Sequence, residues 1–122
     1  MKYALFMDTI EKIELLKSRT KQMSLRVIRL YQSLPANGEA QVIGRQLLRS
    51  ATSVAANYRA VSRARSDGER FSKISIVVEE ADETLFWLEL LTDAGIIPLQ
   101  NYPSYTKSAK KYSRSSPLPG KT

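Results

Sequence analysis

The 122-residue chain contains no cysteine and no histidine. Without cysteine there are no disulfides and no thiolate metal ligands, and the redox compartment stays open, although the lack fits a cytoplasmic protein. Without histidine the chain loses the commonest general base, the commonest metal ligand and the usual switch near neutral pH. Glycine is sparse: Gly38, Gly44, Gly68, Gly95 and Gly120 are far apart, so no glycine-rich phosphate loop exists. Long apolar runs are missing too. Nothing approaches the roughly 18 residues of a membrane span, and Asp8 interrupts the apolar start at Met1–Met7 well before signal-peptide length. Serines are plentiful but have no histidine partner. The sequence therefore reads as a non-enzymatic chain with no cofactor and no membrane partner.

What is present is helical periodicity at single-domain length. Ile13, Leu16, Thr20, Met23, Val27, Leu30 and Leu34 alternate spacings of three and four, which places them on one face of a helix over 10–34. Pro35 ends that helix and Pro35-Ala36-Asn37-Gly38 reads as a tight connection. A second helix over 39–65 has the apolar face Ile43, Leu47, Ala51, Val54, Tyr58 and Val61. Its other side carries the small residues Gly44, Ser50, Ser53, Ala56, Ala60 and Ala64, which reflect either a close helix–helix approach or plain helix propensity. Asp67 is a candidate N-cap for a third helix over 68–94, ended by Gly95 and Pro98. The third helix carries the seam Phe71, Ile74, Val78, Ala81, Leu85, Leu88 and Thr92. Val77, Thr84, Leu91, Ile76, Phe86, Trp87 and Leu90 widen it. An arc this broad predicts a helix that is central, or one covered in part by another subunit near Trp87. A weaker stripe, Tyr102, Tyr105, Ala109 and Tyr112, allows a short helix over 104–113, and 115–122 has a disordered composition. The expectation is an all-α, antiparallel up-down helical bundle spanning 1–114, with three long helices and a short or degenerate fourth.

Charge is unevenly spread within a total of +7. Residues 1–34 and 35–66 each carry a net +4, residues 67–94 a net −6, and residues 95–122 a net +5. The acidic group Glu79, Glu80, Asp82 and Glu83 lacks the histidines of a di-iron bundle and the spacing of a calcium loop. Ion pairing with Arg45, Arg49, Arg59 and Arg63 is the favoured reading. The second helix carries five arginines and no lysine, and arginine suits phosphate forks as well as carboxylate pairs. Lys17, Arg19, Lys21, Arg26 and Arg29 give the first helix a basic outer face. These residues nominate Arg26, Arg29, Arg45, Arg49, Arg59, Arg63, Arg65, Lys107, Lys110 and Lys111 as a nucleic-acid contact set. The same pattern also fits a solvated helical surface.

The run Leu25-Arg26-Val27-Ile28-Arg29-Leu30, then Leu34-Pro35, then Ile43 to Ala60 and Glu79 to Leu91, closely resembles the bacterial "four helix bundle protein" family. Founding members of that family are encoded in intervening sequences within large-subunit ribosomal RNA genes. The resemblance covers about Lys17 to Pro98. It implies an antiparallel up-down bundle that assembles as a homopentamer. It also implies kinship with accessory subunits of diversity-generating retroelements, which bind nucleic acid and a reverse transcriptase through basic surfaces. The family has no agreed functional residues to carry over. This chain departs from the pattern after Pro98, where a fourth long apolar helix is replaced by the Tyr102–Tyr112 stripe. The partners expected are therefore a second copy of the chain, RNA or DNA, or another protein such as a polymerase.

Overall fold

The structure, a computed structural model, describes residues 2–98, with side chains from residue 9 onward. The expected fourth helix, Lys107, Lys110, Lys111 and the 115–122 tail lie outside the described residues. Three helices and no strand make up the described residues: α1 (Lys2–Gln32), α2 (Gly38–Ser62) and α3 (Asp67–Asp93). Helix α1 begins eight residues before the start predicted from the sequence. The turn after α1 obeys its proline: the helix ends at Gln32, and Ser33 and Leu34 close the last turn before Pro35. Two hydrogen bonds fasten this turn. Tyr31 donates its hydroxyl to Gln41 Oε1 at 3.1 Å, and Gln41 Nε2 donates to the Pro35 carbonyl at 3.1 Å.

Each helix boundary is chemically marked. Asn37 caps α2 by accepting from the Ala40 amide at 2.9 Å. The cap of α3 is Ser66 rather than Asp67: its hydroxyl accepts from the Glu69 amide at 3.1 Å, and Asp67 becomes the first helical residue. A serine hydroxyl three residues ahead of Glu69 is the better-placed acceptor, and Asp67 and Glu69 then sit at the positive end of the helix dipole. The far end of α3 is a Schellman turn. The Gly95 amide donates to the Thr92 carbonyl and the Ile96 amide to the Leu91 carbonyl, with Gly95 at φ 74°. Ile97, just beyond, is buried.

The centre of the array is α2, which packs against both α1 and α3. Of the two alternatives for the broad apolar arc of α3, a central place or cover by another subunit, the described residues do not show the first. The core gathers Val27 of α1, Leu34 of the turn after it, Leu47 and Ala51 of α2, and Leu88 and Leu91 of α3, with Ile97 closing it. The first two helices largely present the faces their periodicity predicts, although Leu16 is exposed and Gly44 and Ser50 of α2 are buried as well. The third does not: Thr84, Leu88 and Leu91 are its buried residues, whereas Phe71, Ile74 and Val78 of the predicted seam are exposed, Phe71 by 74%.

Two contacts explain how α2 serves two neighbours. Toward α1 it offers Gly44: a Cβ there would stand 2.5 Å from Leu34 Cδ1 and 3.0 Å from a Tyr31 ring carbon. This is the close approach that the small residues of α2 allowed. Ser24 adds a bond from its hydroxyl to the Ala51 carbonyl at 3.2 Å. Toward α3 it offers Ser50, whose oxygen accepts from the Thr84 hydroxyl at 2.9 Å, both residues being buried. Each hydroxyl also bonds a carbonyl of its own helix, Ser50 to Leu47 and Thr84 to Glu80, so the pair adds a directional contact between α2 and α3.

Candidate nucleic-acid interface

The arginines of α2 lie on the side of the helix opposite its apolar face. Residues 45, 49, 52, 56, 59 and 63 recur at spacings of four and three, so Arg45, Arg49, Arg59 and Arg63 share one stripe, interrupted only by Thr52 and Ala56. Over 18 residues the stripe is ~27 Å long. All four arginines are exposed.

One of the four is engaged within the fold. Arg49 reaches across to α3, where it pairs with Glu80 at 3.3 Å and with Glu83. Glu83 also accepts a hydrogen bond from the Trp87 indole Nε1 at 3.3 Å. The Trp87 hydrogen bond, then that of Arg49, holds the Glu83 carboxyl below the usual carboxylate range. The guanidinium of Arg49 is pushed above its ordinary value, chiefly by its hydrogen bond to Glu83. The expected pairing of acidic α3 with basic α2 is thus concentrated in Arg49, Glu80 and Glu83. Among the described residues, Arg45, Arg59 and Arg63 make no ion pair, nor do Arg26 and Arg29 on α1. Arg65 lies in the turn before α3, 4.0 Å from Glu69. Among the described residues no group of three or more acidic side chains is gathered where it could hold a metal ion.

Helix α1 meets the arginine stripe with lysines. Between the two helices runs a trough of about 680 Å³, rimmed by Lys17 and Lys21 of α1 and Arg59 of α2. The trough exists because its floor is small: Ser24, Thr52, Ala55 and Ala56 leave the space that longer side chains would fill. Glu14 stands at its edge, 3.4 Å from Lys17. Sequence reasoning named Arg59 for the contact set but left out Lys17 and Lys21. The fourfold spacing of the two lysines, facing a stretch of α2 rich in alanine, was the available signal.

The other side of α1 is different. A second groove, of about 670 Å³, is lined by Leu16, Met23, Val54, Tyr58, Val77 and Ala81, and meets the first along Ser18 and Gln22. Arg19 and Arg26 stand on its rim. Burial in this apolar setting pushes the Tyr58 hydroxyl above its ordinary pKa. The structure therefore separates Arg26 from Arg59 and places them on different grooves. Among the described residues no helix is long and apolar enough to cross a membrane.

An all-helical chain with two polar-to-apolar grooves and a basic stripe defines a class of small helical-array proteins, and comparison places it further. The chain belongs to the family described as "23S rRNA-intervening sequence protein", whose profile matches residues 12–116. It is also similar to a crystal structure, at 1.70 Å resolution, of a protein of unknown function from the S23 ribosomal protein family of Bacteroides thetaiotaomicron VPI-5482. The two are 31% identical with a TM-score of 0.72, over 84% of this chain and 92% of that one. Among curated proteins no match is found.

Proposed function

We propose that this chain is a non-enzymatic, oligomeric bundle protein of the cytoplasm that contacts structured RNA or DNA through the basic faces of α1 and α2 and through its basic C-terminal segment. The observation that carries this reading is the convergence of Lys17, Lys21 and Arg59 on one trough beside the arginine stripe of α2. Phosphate contacts account for most of the affinity of such surfaces, and guanidinium groups not tied to carboxylates remain available for them. The complete bundle is read as antiparallel and up-down, because short connections join consecutive helices and the pairs Ser24–Ala51 and Tyr31–Gln41 run in opposite chain directions. A homopentamer is the assembly implied by the family resemblance. Titrating nucleic acid against salt tests the reading: affinity should fall steeply from low to moderate salt, and flat affinity or no binding at low salt would overturn it.

A specific observation favours a second reading, a protein-interaction scaffold or accessory subunit with no direct nucleic-acid role. Phe71, Ile74, Val78 and Phe86 leave an apolar face on α3, the mark of a surface that another protein covers. Affinity capture that recovers only further copies of the chain, alongside tight nucleic-acid binding, would remove this alternative.

A further inference from the structure

We infer that the trough between α1 and α2 is the docking surface for the sugar–phosphate backbone of double-helical RNA, with Lys17, Lys21 and Arg59 on phosphates and the polar side chains between them on 2′-hydroxyls. The inference rests on the nucleic-acid reading above and assigns it a surface, a strand form and a sugar.

Three features carry it. The first is charge: three cations and one carboxylate stand around the trough, for a net of +2, and Arg45 and Arg63 extend the positive stripe along α2 on the same side. Cations spread over the ~27 Å from Arg45 to Arg63, with Arg49 taken up by Glu80 and Glu83, are spaced to meet several phosphates along a double helix rather than to cup one. The second is the aromatic content. Among the described residues, no aromatic ring lines the trough. Proteins that hold single strands stack bases on aromatic side chains, so this surface can grip a backbone but offers no platform for unstacked bases. Tyr58, the aromatic residue of the nearby α2 turns, lies instead in the apolar groove on the other side. The third feature is what fills the space between the cations. Ser18 and Gln22 are exposed on the ridge of α1 that the trough shares with the apolar groove, and Thr52 lies across from them on α2. Hydroxyl and amide groups between phosphate contacts match the wide, shallow minor groove of A-form RNA, where 2′-hydroxyls alternate with phosphates. Deoxyribose offers them no such partner.

Glu14 sharpens the picture. It pairs with Lys17 at 3.4 Å, and a phosphate on Lys17 must compete with it. Removing that carboxylate frees the lysine, so Glu14→Gln should raise affinity. Misfolding cannot mimic a gain of that kind.

The test is a fluorescence-anisotropy titration of the full chain with three probes of equal length: duplex RNA, duplex DNA and an unstructured single-stranded RNA. It uses the parent chain, Glu14→Gln, the pair Lys21→Ala/Arg59→Ala, and the pair Arg19→Ala/Arg26→Ala on the opposite groove. Circular dichroism confirms that each variant is helical. Duplex RNA should bind most tightly. The trough pair should weaken it at least tenfold at moderate salt and lower the salt slope by about two, one per cation removed. Glu14→Gln should strengthen it severalfold, and the Arg19/Arg26 pair should cost less than the trough pair. Equal or tighter binding of single-stranded RNA overturns the duplex assignment. Equal binding of duplex DNA overturns the sugar assignment, and an unaffected trough pair overturns the surface. No binding of any probe at low salt would instead remove the nucleic-acid reading on which the inference stands.

Discussion

The two ends of this helical array are built unequally. Where the last turns of α1, the first turns of α2 and the last turns of α3 meet, Val27, Leu34, Leu47, Leu88 and Leu91 are buried and Ile97 folds over them. Where the first half of α1 and the start of α3 lie, Ile10, Leu15, Leu16, Phe71, Ile74 and Val78 are exposed. Apolar content is similar at both ends, so hydrophobicity alone does not make a core. The packed end has Val27, Leu47, Leu88 and Leu91 from three helices and a Schellman turn that brings Ile97 back, whereas at the open end Val54 and Val61 of α2 are buried but those apolar residues of α1 and α3 stay exposed. What the difference teaches is that stability is concentrated at one end, while the other carries apolar surface free to meet something else.

That contrast can be broken in order of expected effect. Leu88→Ala at the packed end should cost about 2–5 kcal/mol in denaturant unfolding. Phe71→Ser at the open end should change stability by under ~0.5 kcal/mol in dilute solution, as surface substitutions do. If the two losses prove similar, Phe71 is covered in solution and the open end is an interface. Gly44→Ala should come next. Its Cβ would overlap Leu34 at about 1–3 kcal/mol, against a gain of up to ~1 kcal/mol in helix propensity. The net is a loss, which a double-mutant cycle with Leu34→Ala should show to be less than additive. Thr84→Val should cost about 1 kcal/mol by removing the hydroxyl bond to Ser50 between α2 and α3. The smallest effect is the acid response of Glu83. Its folded pKa is depressed, so its contribution is present above the unfolded value and disappears as pH falls through the folded one. The emission of Trp87, the only tryptophan, should therefore shift below the usual glutamate range. Glu83→Gln should abolish that shift, and an unchanged acid profile in this variant would sink the assignment.

The sequence made α1 and α2 legible because each has a polar face against which an apolar one stands out. It could not phase α3, whose large apolar residues surround the helix. When every rotation buries something hydrophobic, periodicity expresses no preference, and the choice passes to pairs on two helices: Ser50 with Thr84, and Arg49 with Glu80 and Glu83. The first is not visible in the sequence, and of the second only the pairing of the two charged groups is, not the choice of Arg49 among four arginines. The Ser66 cap was missed for a local reason, since a serine and an aspartate stood side by side and only geometry decided between them. The basic candidate set was readable as a set, yet not its partition. Whether Arg26 and Arg59 face one groove or two depends on which side of α1 receives α2.

The substantial packing in the described residues joins helices that follow each other directly in the chain, α1 with α2 and α2 with α3. Such a layout has a kinetic meaning. Each docking event closes only a short connection, so little loop entropy is lost before contacts form, and low contact order accompanies fast folding. The α1–α2 hairpin, with its asparagine cap, its Tyr31–Gln41 clasp and the Gly44 notch, contains everything needed to form while α3 is still emerging from the ribosome.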